Sequence, residues 1–141
     1  MQTFNDEVFG QLVWDEQVEW WEGRCEFSAG LSIPVSVSPN DIDLEIVLNL
    51  ARKTFRSLQQ SEPSLRLEAT EVLLESHNEE WSDGDPIDNE TFASRMTIKE
   101  LTIDGDGSAT LFYDDGNLFW GHSILVETDS EGAFQYADIA G

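Results

Sequence analysis

Three groups of residues have the types and spacing that chemistry would need. Asp104-Gly105-Asp106-Gly107-Ser108 sets carboxylates at alternate positions of a loop, the arrangement by which oxygen ligands converge on a hard cation. A helix–loop–helix calcium loop also needs glycine at its sixth position and a bidentate glutamate at its twelfth. Counted from Asp104, those positions hold Ala109 and Asp115, and β-like runs flank the loop. A hairpin turn accounts for the segment, and no metal is expected there. Asp83-Gly84-Asp85 lacks a third carboxylate at a fixed spacing and reads as a solvated loop.

The second group is Asp114, Asp115 and His122, with Trp120 beside them. Two carboxylates and an imidazole around a turn could bind a ligand or move a proton. A strand over Leu118 to Val126 would put His122 on one face with Trp120 and Ile124, where cross-strand hydrogen bonds explain it structurally. The other histidine, His77, falls near a helix end, where capping suffices. The third candidate, Cys25, is the single cysteine, so an internal disulfide and a cysteine-based zinc site are excluded. Strand alternation groups Cys25 with Gly23 and Phe27, as a small buried hydrophobe more than a reactive thiol. With no Gly-x-Ser-x-Gly elbow and no Gly-rich phosphate loop, neither an enzymatic activity nor a cofactor is expected.

Charge says more than any motif. The 141 residues carry 29 Asp and Glu against 7 Lys and Arg, a net charge of −22. Such a surface repels phosphate backbones and anionic headgroups, so neither nucleic acid nor membrane is an expected partner. Nine acids and no basic residue lie between Arg66 and Arg95, and nine more acids follow Lys99 without a basic residue. The charge is either a solvating halo or a docking surface for a basic protein, whose approach it would speed. For docking, the candidate residues are Glu79, Glu80, Asp83 and Asp85, with Trp81 as an aromatic anchor. Trp81 folded back onto the helices is the alternative. No apolar run reaches the roughly 18 residues of a membrane span, and Met1 to Glu7 has no leader-like pattern, so a cytoplasmic protein is expected. Oligomeric state is left open.

The elements that must position these residues read as α+β, one domain over 1–141. An N-terminal antiparallel meander of three or four strands is expected from Phe9–Trp14, Gln17–Trp21, Cys25–Ser28 and Leu31–Val37, with turns at Glu22-Gly23 and Ala29-Gly30. Pro34 suggests an edge strand or a bulge. A central helical hairpin follows. Leu44, Val47, Leu48, Ala51, Phe55 and Leu58 form the stripe of its first helix, and Ser61-Glu62-Pro63 restarts a second that buries Leu65, Ala69, Val72 and Leu73. Glu79 to Glu90 reads as an exposed loop, and Glu90 to Met96 as a short helix. C-terminal antiparallel strands over Thr97–Ile103, Ala109–Tyr113, Leu118–Val126 and Ala133–Ile139 complete the packing around one core.

Two stretches carry a resemblance. Phe9-Gly-Gln-Leu-Val-Trp-Asp15 with Trp20-Trp-Glu-Gly23, and Tyr113-Asp-Asp-Gly-Asn-Leu-Phe-Trp-Gly-His-Ser123 followed by Gly132 and Ala137-Asp-Ile-Ala-Gly141, resemble a bacterial family catalogued as domain of unknown function 2262. Leu73 to Trp81 and Phe92 to Met96 fall where that family would place them, so the resemblance spans nearly the whole chain. It implies no activity. Small acidic domains of this kind look similar to immunity proteins, and the leading expectation is a binding protein of that type, masking a basic partner such as a toxin domain. The competing expectations are an enzyme or ligand-binding domain using Asp114, Asp115 and His122, and a structural or regulatory module without intrinsic activity.

Overall fold

The computed structural model describes residues 2–82 and 84–140. Four strands open the chain, β1 (Thr3–Asp6), β2 (Gly10–Asp15), β3 (Trp20–Ser28) and β4 (Leu31–Val37), each antiparallel to the next. The expected meander is present with shifted boundaries: β1 starts ahead of the first expected strand, and Glu22-Gly23 lies inside β3 instead of turning. Close packing is the reason for the glycine. A Cβ on Gly23 would meet Phe9 O at 2.7 Å and a Leu12 methyl at 2.8 Å, so only glycine lets the neighbouring chain approach.

Four more strands, β5 (Thr97–Ile103), β6 (Ala109–Asp114), β7 (Ser123–Thr128) and β8 (Phe134–Ala140), form a second antiparallel run. The two runs make one eight-stranded sheet in the order β1 to β8, joined by a parallel pairing of β4 with β5 over Val35↔Leu101, Ser36↔Thr102 and Val37↔Ile103. Pro34 therefore sits in a central strand and not at an edge. It is accommodated because the β4–β5 ladder begins one residue later, at Val35.

The expected helical hairpin is replaced by one continuous helix, α1 (Leu44–Ser76), 33 residues or roughly 50 Å long. A π-helical turn, His77–Trp81, and a short helix, α2 (Asn89–Arg95), complete the crossover. Asp88 starts α2 by accepting Thr91 N–H at 2.8 Å. Pro63 stays inside α1 because the buried positions Leu58, Glu62, Leu65, Ala69 and Leu73 keep one helical phase across it. Val72, expected in the core, faces outward at 51% exposure. The architecture is mixed α+β: a mostly antiparallel sheet, one long helix and one short one.

A buried polar clip fixes α1 where the proline weakens it. Glu62, 8% exposed, accepts Arg66 Nε at 2.9 Å, Arg66 Nη2 at 3.1 Å and the Tyr113 hydroxyl at 2.8 Å. Arg66 Nη1 also donates to Met96 O at 2.7 Å and Ala93 O at 3.3 Å, fastening the end of α2. A second clip ties the first strand to the helix. Asp6 pairs with Arg52 and accepts Val8 and Phe9 N–H at 2.9 and 3.0 Å. Burial alone would raise the Asp6 carboxyl, but Arg52 and the two N–H donors outweigh it and hold it below the usual range. Around these clips Phe9, Leu48, Phe55, Leu58, Ile33, Val35, Leu111 and Val126 belong to one hydrophobic cluster.

Two predictions follow from the clips. Arg66→Ala leaves the Glu62 carboxylate buried without its cation and lowers unfolding free energy by about 3 kcal/mol, measured by urea titration. Burial followed by the Glu62 charge raises the Tyr113 phenol well above its usual range, and burial followed by the Asp6 charge pushes the Cys25 thiol up to about 11. Both groups are then neutral in the fold and ionise first in the unfolded chain. Their contribution is complete below about pH 8.5 and declines as pH rises through the unfolded thiol and phenol, by up to about 1.4 kcal/mol per pH unit per group. A stability profile flat from pH 7 to 11 would contradict this.

Candidate functional site

The site grows from one buried carboxylate. Asp115, 3% exposed, accepts Asn117 N–H at 2.9 Å, Phe119 N–H at 2.8 Å and Gly121 N–H at 3.0 Å. These bonds wrap residues 115–122 into a compact loop in which Gly116, Asn117, Trp120 and Gly121 all have left-handed φ, at 54°, 67°, 59° and 92°. Asp114 adds a bond from Gly116 N–H at 2.8 Å. The end of α2 holds the loop from below, with Arg95 Nε and Nη2 donating to Gly116 O at 3.0 and 2.6 Å. A Cβ on Gly116 would lie 2.4 Å from Arg95 O, so this contact requires glycine.

This corrects the expected strand over Leu118 to Val126, because β7 begins only at Ser123. Strand alternation therefore does not set the directions of Phe119, Trp120 and His122. The Asp115 turn does: Phe119 is fully buried and Trp120 is 63% exposed. A left-handed conformation at a bulky residue costs about 1–3 kcal/mol and persists only where the surroundings impose it.

Two sets of residues that were separate in the sequence meet here. Trp120 Nε1 donates to Trp81 O at 3.0 Å, and the two indole rings lie 4.7 Å apart at 64°. Trp81 also packs edge-on against Phe119 at 5.5 Å and His122 at 5.6 Å. Trp81 is thus half-buried support, and Trp120 is the exposed aromatic. Beneath them His77 meets Phe119 at 5.8 Å and Phe92 at 6.0 Å.

Both imidazoles have assignable protons. His122 Nδ1 lies 2.7 Å from Phe119 O, and a carbonyl can only accept, so Nδ1 carries hydrogen, and in the neutral ring Nε2 is then the acceptor. His77 Nδ1 lies 3.0 Å from Asn78 Oδ1. Asn78 is oriented by its two bonds to the Ile87 backbone, both 3.1 Å, with Oδ1 accepting Ile87 N–H. His77 Nδ1 is therefore also the donor.

Recesses flank Trp120 on two sides. One, about 230 Å³, is lined by His77, Trp81, Asp85, Arg95 and Asn117. The other, about 220 Å³, is lined by Gly121, His122, Ser123 and Ala140. Asp114 and Asp115 line neither, and the Asp115 carboxylate is fully engaged with backbone N–H groups. Glu79, Glu80 and Asp85 are exposed around the aromatic cluster, while Asp83 lies outside the described residues. Among the described residues no three of His, Cys, Asp and Glu are grouped to hold a metal ion. The Asp104–Ser108 loop is closed by its own bonds, with Asp106 Oδ1 accepting Ser108 N–H at 2.9 Å and its hydroxyl at 2.6 Å.

Asp115→Ala removes the acceptor of three N–H groups and lowers stability by about 3 kcal/mol. It also frees Trp120, which appears as a red-shifted emission and a higher fluorescence anisotropy decay rate under native conditions. Unchanged emission would contradict the role assigned to Asp115.

The profile of a family described as "Uncharacterized protein conserved in bacteria (DUF2262)" matches residues 6–139. No curated protein and no solved structure matches the chain.

Proposed function

The chain belongs to the uncharacterised bacterial family DUF2262, and from that premise we propose that it is a stoichiometric binding protein that masks a basic partner protein, in the manner of an immunity protein. The observation that carries the reading is Trp120: 63% exposed, left-handed, and locked by its bond to Trp81 O. A rigid exposed indole is the kind of anchor on which binding energy concentrates. Glu79, Glu80 and Asp85 supply charge around it, and the net −22 draws a basic surface in. The anchor is thus Trp120, with Trp81 beneath it as support. No helix among the described residues is long and apolar enough to cross a membrane, and the proposed place of action is the cytoplasm.

The test uses a partner recovered on the immobilised protein and then purified. Trp120→Ala weakens binding by about 2 kcal/mol or more. The Glu79→Lys/Glu80→Lys/Asp85→Lys variant slows association about tenfold and flattens its salt dependence. Trp120→Gly separates binding from folding, because glycine relieves the left-handed strain and keeps stability within about 1 kcal/mol of the parent. Unchanged affinity and salt slope in these folded variants would overturn the reading.

A second reading is favoured by one observation. In the neutral ring His122 Nε2 is an acceptor beside the 220 Å³ recess that Trp120 and Ser123 also line. A small ligand with a hydrogen-bond donor would fit there. Ligand-induced shifts of the His122 ring resonances would support it, and their absence across a metabolite panel would count against it.

A further inference from the structure

We propose that the outer edge of β8 is a strand-addition site for an extended basic segment, with Asp138 as the residue that admits it. The inference rests on the reading of a basic partner and adds the mode of recognition. The sheet order leaves β1 and β8 with one neighbour each. β1 is four residues long and its Asp6 is tied to Arg52. β8 runs for seven residues, Phe-Gln-Tyr-Ala-Asp-Ile-Ala, with no Pro, Lys or Arg to blunt it. A free edge of this length presents a row of backbone donors and acceptors, the template for adding a strand.

One of those donors is visible directly. Ile139 N–H donates to the carboxylate of Asp138, at 2.7 Å, so it is turned away from β7. Asp138 therefore covers a donor that an incoming strand would need. The surroundings are predominantly negative, the nearby cations being Lys99, whose Nζ donates to Ser123 Oγ at 2.6 Å at the start of β7, and Lys53, which lines a recess with Ser130, Glu131 and Gly132. No basic residue follows Lys99 in the sequence, and Glu127, Asp129, Glu131 and Asp138 all belong to β7, β8 and the turn between them. Desolvation first, and then the charges of Asp138 and Glu127, raise the Tyr136 phenol above its ordinary range.

That field selects the occupant. A second copy would bring Asp138 towards Asp138 and one −22 chain against another, which like-charge repulsion opposes. A lysine or arginine on an incoming strand instead draws the Asp138 carboxylate into an ion pair and uncovers Ile139 N–H. The same residue thus blocks self-pairing and opens the edge to a cation.

The experiment titrates the full chain, isotope-labelled, with the acetylated peptide amide Lys-Val-Lys-Thr-Lys-Val-Lys and with its analogue N-methylated at alternate residues, which has equal charge but cannot complete a ladder. The unmethylated peptide slows amide exchange at Ile139 and its β8 neighbours about tenfold, and the methylated one does not. Asp138→Lys, with its fold verified by circular dichroism, weakens the unmethylated peptide about tenfold, and Asp138→Ala weakens it less. Equal binding of both peptides would overturn the proposal, because charge alone would then suffice. Binding that shifts Glu79, Glu80 and Trp120 while β8 stays unprotected would overturn the edge and leave the basic-partner reading standing. Absence of binding by either peptide would also overturn the edge, while the partner reading is decided separately by the salt dependence of the recovered partner.

Discussion

Everything in this fold depends on three parallel residue pairs between β4 and β5. Antiparallel neighbours can be joined by a tight turn, whereas parallel neighbours demand a crossover that returns the chain to the end where it began. Val37 must therefore connect to Thr97 across the sheet, and α1, the π turn and α2 are that connection. The crossover overshoots the short strands, so its far end must turn back. The aromatic cluster is built at that reversal, where Trp81 leaves the long helix and Arg95 ends the short one.

A chain with so many carboxylates also uses a few of them as internal fasteners. Among the described residues Asp6, Glu62 and Asp115 are the buried acids, and each is surrounded by donors: Arg52 with two N–H groups, Arg66 with a phenol, and three loop N–H groups. Burying a carboxylate is tolerable only when its lone pairs are met this completely. The three fasteners hold the first strand to α1, α1 to α2 and β6, and the Trp120 loop to itself. The outward acids can then repel one another without loosening the core, and an exposed, strained tryptophan can be held still.

The parts of the fold legible in the sequence were those with local causes. β5 and β6 followed from strand-like runs set apart by the turn-forming Asp104–Ser108 loop, and α2 was expected over Glu90 to Met96, right after the acidic, turn-rich stretch. The unbroken α1 was hidden by Ser61-Glu62-Pro63, which reads as a helix restart until Glu62 is seen buried against Arg66 and Tyr113 and the apolar stripe is seen to run on past Pro63. The Trp120 loop was hidden in a similar way. Phe119-Trp120-Gly-His-Ser has strand composition, and the Asp115 carboxylate that reaches forward to Phe119 and Gly121 N–H leaves no periodic trace. Gly23 was misread as a turn because a close approach of two strands and a reversal both call for glycine.

By itself the sequence determined the α+β class, the two antiparallel runs, the overwhelming negative charge and the residues of interest, since composition and short-range periodicity act within a few residues. Tertiary structure alone decided that the two runs share one sheet, that α1 crosses Pro63, that Trp81 supports and Trp120 presents, and that Trp81 and His122, 41 positions apart in the chain, touch. These outcomes rest on hydrogen bonds and ring contacts between distant residues. Their energies depend on which groups are brought together out of water, and no local pattern records that.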